Sequence, residues 1–154
     1  MERSRKLCIA IALLGLVALS VPFAALGHDE PSIADLKGRL SNMEMRDRPA
    51  LCIQICERQL EAADKFYNLG AAMEAKAALA DVVSFAALAR EYSIQSHKHE
   101  KQSEIALRKT VRKLSDLKHA IAREDQQAVQ NAIDRIQHFR DDLLYAMFPR
   151  GGAK

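Results

Sequence analysis

From residue 32 onward, apolar positions recur at intervals of three and four, the spacing that gathers side chains on one face of an α-helix. Ile33, Leu36, Leu40 and Met43 follow it behind Pro31 and Ser32 and predict a first helix over residues 32–46. Asp47-Arg48-Pro49 predicts a turn, with Pro49 suited to the start of the next helix. Over residues 50–68, Cys52, Ile55, Cys56, Leu60, Ala63, Phe66 and Tyr67 share one side, opposite Gln54, Glu57, Arg58, Glu61, Lys65 and Asn68. Asn68-Leu69-Gly70 ends that helix, since glycine takes the left-handed conformation at little cost.

No Gly or Pro occurs between Gly70 and Pro149, and the stretch is rich in Ala, Leu, Lys, Arg, Glu and Gln, so it reads as helical throughout. A third helix covers residues 71–95 and is apolar nearly all round from Val82 to Ala89, which predicts neighbours on several sides. Residues 96–100 (Ser-His-Lys-His-Glu) are polar but hold no breaker. The expectation is one rod over residues 71–122, roughly 78 Å long at 1.5 Å per residue, bent near Ser93 to His97, with a turn as the alternative. Arg123-Glu124-Asp125 then predicts a turn whose acids suit a helix start. The last helix, residues 125–148, carries Val129, Ala132, Ile133, Ile136, Phe139, Leu143, Leu144 and Met147 on one face. Arg140 falls inside that face, where it either snorkels at the edge or meets a buried carboxylate. The fold class is therefore all-α, helical hairpins in a bundle of four to five helices, with a disordered tail over residues 149–154.

The run Leu60-Glu-Ala-Ala-Asp-Lys-Phe-Tyr-Asn-Leu-Gly70, followed by Glu74-Ala75-Lys76-Ala77-Ala78-Leu79, resembles a tetratricopeptide helical hairpin: a Tyr three residues before a Gly turn, then small residues where the second helix packs. The resemblance covers residues 50–89, one unit without a second copy or a closing Pro. It implies close helix packing and no ligand, because a concave peptide-binding surface needs several stacked repeats.

The amino terminus follows a different pattern. Arg3, Arg5 and Lys6 precede thirteen uncharged residues from Leu7 to Leu19, then Pro22 and the small-residue stretch Ala24-Ala25-Leu26-Gly27. These are the parts of a secretory signal peptide over residues 1–27, which would leave His28 first in a single all-helical domain over residues 28–148. The alternative is an uncleaved anchor, since residues 7–27 carry no charge. Export places the protein in the periplasm or outside the cell, with no transmembrane span after cleavage.

Export also changes what the charge means. The whole chain of 154 residues has a formal charge of +3, but Arg3, Arg5, Lys6 and Glu2 leave with the leader, so the remainder is near neutral. That removes the electrostatic support for a nucleic-acid partner. What remains is segregated: residues 97–123 hold eight bases and three acids. At 100° per residue, Lys98, Lys101, Arg108, Lys109, Arg112, His119 and Arg123 form one stripe, interrupted only by Ile105 and Asp116, opposite Leu107, Val111, Leu114, Leu117 and Ile121. A basic amphipathic helix of this kind suits an envelope protein or an anionic surface as partner, and a homo-oligomer is a further possibility.

Cys52 and Cys56 share a helix face at i, i+4 and could both reach a soft ion such as Cu(I) or Zn. In that spacing alone the chain is similar to exported helical copper-storage proteins, which multiply the motif. Two thiolates leave a tetrahedral site incomplete, on an apolar face cysteine also packs as a small hydrophobe, and export permits a disulfide between the two, although an i, i+4 bridge within one helix strains its dihedral. His97 and His99 point about 200° apart on a helix and converge only if the joint is a loop. His138 sits near Asp134 and Asp142 on a polar face. No phosphate loop, nucleophile elbow or paired-carboxylate motif occurs, so no catalytic residue and no cofactor are expected. The expectation is a non-catalytic interaction, scaffold or chaperone-like protein of the cell envelope, the alternative being Cu/Zn binding at Cys52 and Cys56. Small helical stress chaperones of the periplasm are an architectural comparison, although their Leu-Thr-x-x-Gln motif is missing here.

Overall fold

A computed structural model of the chain describes residues 31–149. The leader, His28 and the tail beyond Pro149 lie outside the described residues. Among the described residues there are five helices and no strand: α1 (Ile33–Leu40), α2 (Arg48–Asn68), α3 (Ala72–Ser96), α4 (Glu100–Ala120) and α5 (Gln126–Met147). The all-α bundle expected from the periodicity is the observed fold. α2 and α3 form one hairpin and α4 and α5 another; the hairpins meet chiefly through α3 and α5, more lightly through α2 with α4 and α3 with α4, while α1 rests on α2.

The first helix is shorter than the periodicity predicts. Ser32 caps α1 through a box in which its hydroxyl accepts the Asp35 amide while the Asp35 carboxylate accepts the Ser32 amide. The Ser32 hydroxyl also lies 2.7 Å from the Asp35 carboxylate as a donor, and this bond, with the one from the Ser32 amide, holds the Asp35 carboxyl below its ordinary value, so this support is present above the usual carboxylate range and is lost as pH falls through the lowered value. α1 stops at Leu40, and turns bonded from Asn42 to Arg39 and from Met43 to Leu40 fold the chain back. Met43 thereby reaches the Leu36, Leu51 and Ile55 cluster without belonging to the helix. The Arg48 side chain donates to the Met43 carbonyl at 3.0 Å and closes the loop.

α3 packs against α2, α4 and α5, as its apolar circumference predicts. Ala75, Ala78, Ala86 and Ala89 are buried, and their short side chains admit the flanking helices closely. At its start, Gly70 has a φ of 73° and ends α2 in the expected way. The principal cluster runs through α2 to α5 and includes Cys56, Leu60, Val82, Leu107, Leu114 and Ile136.

The single rod over residues 71–122 is not formed: α3 ends at Ser96 and α4 begins at Glu100. His97 and His99 adopt left-handed conformations, with φ of 52° and 63°. The His97 amide donates to Ile94 and the Lys98 amide to Ser93, the paired bonds of a Schellman ending without its usual glycine. Across the turn the buried Ser93 and Ser103 hydroxyls bond at 2.8 Å, so α4 folds back on α3 where a rod would have separated them. This reversal brings the apolar face of α4 into the core.

Two non-glycine residues at positive φ carry a steric cost of about 1 kcal/mol or more each. His97→Gly is accordingly expected to raise stability by about 0.5–1 kcal/mol in urea denaturation, because glycine adopts that conformation without strain but adds unfolded-state entropy. A loss of stability would show instead that the imidazole contributes contacts worth more than the strain.

Candidate interaction surfaces

The basic stripe lies on the outward face of α4. Leu107, Val111, Leu114 and Leu117 are buried and orient the helix, so Lys101, Arg108, Lys109, Arg112 and Lys113 are directed to solvent. Arg123 is exposed too, but α4 ends at Ala120 and Ile121 is extended, so Arg123 sits in the turn to α5 and does not continue the helical stripe. Among the described residues Lys101, Lys109, Arg112, Lys113 and Arg123 make no ion pair. Some cations elsewhere do have partners: Lys37 meets Asp81 at 2.7 Å and Lys76 meets Asp125 at 2.7 Å. Arg108 differs from its neighbours, since it lies 3.6 Å from Glu104.

Glu104 is the functional-looking acid that the periodicity did not single out. It is only 7% exposed, and Arg140 meets it through Nε at 3.1 Å and Nη2 at 2.8 Å. Of the two environments open to Arg140 in sequence, the buried carboxylate is the one formed. The pair joins α4 to α5 and is a structural clamp, because both groups are spent on each other. Nearby, Arg90 packs over the Phe139 ring at 5.4 Å and approaches Asp142 to 3.7 Å.

Cys52 and Cys56 are free and fully buried. The Cys56 thiol donates to the Val82 carbonyl at 3.5 Å, and burial pushes both thiols up to about 12. Metal binding needs thiolates, and among the described residues no group of three or more His, Cys, Asp or Glu is placed to hold a metal ion. His97 and His99 do occupy a loop, where His97 lies 3.7 Å from Glu100.

The buried thiols make two measurements informative. Both should resist an aromatic disulfide reagent in the native protein and react once denaturant is added, because the attacking species is the thiolate. They should also make stability fall with rising pH. The folded thiols keep their protons to about pH 12, whereas unfolded ones lose theirs near the ordinary value, so the contribution is complete below about pH 8.5 and declines above it. The limiting slope is about 1.4 kcal/mol per pH unit per thiol, and a Cys52→Ala/Cys56→Ala protein should lack this component between pH 9 and 10.

Among the described residues no helix is long and apolar enough to cross a membrane. Comparison with known proteins gives no match: no protein-family model, no curated protein and no solved structure is significantly similar to this chain. Fold and surface define an all-α helical bundle of two packed hairpins with a short capping helix, presenting one strongly basic face.

Proposed function

We propose that this is an exported, non-catalytic interaction protein of the cell envelope, with a scaffold or chaperone-like role, and that the outer face of α4 contacts an anionic partner. The observation that carries this is a run of cations left, among the described residues, without a counter-charge on one exposed helix face. Lys101, Lys109, Arg112 and Lys113 are exposed on one face without an ion pair among the described residues, while Asp81, Asp125 and Glu104 each hold a cation. A row of unmatched cations of one sign attracts anionic surfaces and raises encounter rates. Export rests on the composition of residues 1–27 and the non-catalytic role on the motifs, so both remain part of the proposal.

The test is a Lys101→Glu/Lys109→Glu/Arg112→Glu protein, which spares Arg108 and hence the Glu104 cluster. Crosslinking in envelope extracts should lose the partners captured by the parent. In a second arm, vesicles containing phosphatidylglycerol are compared with phosphatidylcholine vesicles. If headgroups are the anion, binding should fall on the order of a hundredfold, since each Lys or Arg near an anionic surface is worth about 1 kcal/mol. Unchanged crosslinks together with equal sedimentation on both vesicles would remove the basic face from the function.

A further inference from the structure

Beside the basic face, α2 and α4 diverge to leave a cleft of about 380 Å³. Its floor is Leu60 and Leu117, and the small side chain of Ala120 lines it beside them. The α2 wall carries Glu61 and Asp64; the α4 wall carries Lys113 and Asp116. From Lys113 to Ala120 the α4 wall runs about 10 Å, or two helical turns. The lining is mainly apolar, with the charges at the rim.

The rim shows what chemistry the cleft accepts. Glu61, Asp64 and Asp116 make no ion pair among the described residues, and the one hydrogen bond to them is from the Asn68 amide to Asp64 at 3.4 Å. Three carboxylates against one ammonium leave the cleft net negative, opposite to the outer face of the same helix. An anionic partner is therefore repelled here. A metal ion is not held either, because these carboxylates do not converge on a common point. The cleft is partly open to solvent, so it suits a side chain presented on a larger body better than a small solute needing enclosure. An apolar floor with acidic walls over two turns matches one recurrent mode of recognition, a helix laid in a groove with its apolar face down.

We propose that the cleft between α2 and α4 receives a cationic amphipathic helix of a partner protein. A leucine-sized side chain seats on Leu60 and Leu117, and flanking Lys or Arg residues face Glu61, Asp64 and Asp116. The contact is distinct from the anion-binding role assigned to the outer face of α4, since it uses the opposite charge and, apart from Lys113 at the shared edge, different side chains. Together the two surfaces would let one helix, α4, meet partners of opposite sign side by side, which is what a scaffold needs.

The probe is a fluorescein-labelled synthetic helix with Leu on one face and Lys on the flanks, followed by fluorescence anisotropy with the full chain. A counterpart with Glu in place of every Lys is the control. Two variants act on the cleft from exposed positions: Glu61→Gln/Asp64→Gln/Asp116→Gln removes the rim charge, and Ala120→Trp puts a bulky ring into the lining. The Leu/Lys peptide should bind, more weakly as salt rises, and each variant should weaken it at least tenfold. Lys109→Glu/Arg112→Glu should leave this binding intact or strengthen it while abolishing anion binding, so the two roles can fail separately. Circular dichroism checks folding; if Ala120→Trp disturbs the helix, the carboxamide protein decides alone. No binding of the Leu/Lys peptide, equal binding of the Leu/Glu counterpart, or binding unchanged by the carboxamide protein would overturn the proposal.

Discussion

Arg140→Leu is expected to destabilise the protein by about 3 kcal/mol, because it strands a buried carboxylate. Glu104 is 7% exposed and receives both the Nε and Nη2 groups of Arg140 on one oxygen. With the guanidinium gone, Glu104 must stay ionised in a poorly solvated site or take up a proton, and either costs stability. Arg108, 3.6 Å from the other oxygen, remains and keeps the loss near the lower end of the usual range. Removing both partners reverses the argument. Glu104→Leu/Arg140→Leu leaves no stranded charge and should return to within about 1 kcal/mol of the parent, as apolar replacements of buried pairs often do. Urea denaturation of the two single variants and the double variant yields the coupling directly. A loss below about 1 kcal/mol for Arg140→Leu would mean that water reaches Glu104 once the guanidinium is removed.

Leu114→Ala should cost about as much for a different reason. Leu114 is fully buried in the cluster shared by α2 to α5, where truncation removes transfer energy and leaves a void that four helices cannot collapse around, about 3 kcal/mol. Leu36 is equally buried, yet its cluster is small and lies beneath α1. An eight-residue helix has little stability of its own and depends on that side chain. Leu36→Ala is therefore expected to free α1 locally, seen as rapid amide exchange over residues 33–40, with a smaller change in the global transition. Equal global losses in both variants would show that α1 unfolds together with the bundle.

These variants also mark how far the chain could be read unaided. The faces of α2 and α5 follow from spacing alone: Cys52, Ile55, Cys56, Leu60, Ile133, Ile136 and Leu143 are all buried. The spacing extends one turn too far, since Leu144 and Met147 belong to the face but Leu144 is 37% exposed at the end of the bundle. The partner of Arg140 was illegible because Glu104 lies 36 positions away on another helix. Asp125 shows the same override on a smaller scale. It stands at the start of α5 as acidic residues should, but makes no side-chain cap, its carboxylate being taken by Lys76 of α3.

The break between α3 and α4 is the largest difference. Glycine is the ordinary mark of a left-handed ending, and His97 and His99 do not announce one. Their conformation is imposed by what the reversal gains, the burial of Leu107, Leu114 and Leu117 and the bond between Ser93 and Ser103. The cleft is of the same kind. Sequence placed Glu61 on the polar side of its helix, but only the divergence of α2 from α4 sets it and Asp64 opposite Asp116.

By itself, then, the sequence determined the helical class, the inward face of each long helix and the segregation of charge onto residues 97–123, because these depend on local spacing at 3.6 residues per turn. Tertiary structure alone decided where the chain reverses, which carboxylate meets Arg140, which cations stay unmatched and where an open cleft remains. Those outcomes depend on groups distant in the chain competing for the same space and the same counter-charge, and no local pattern records that competition.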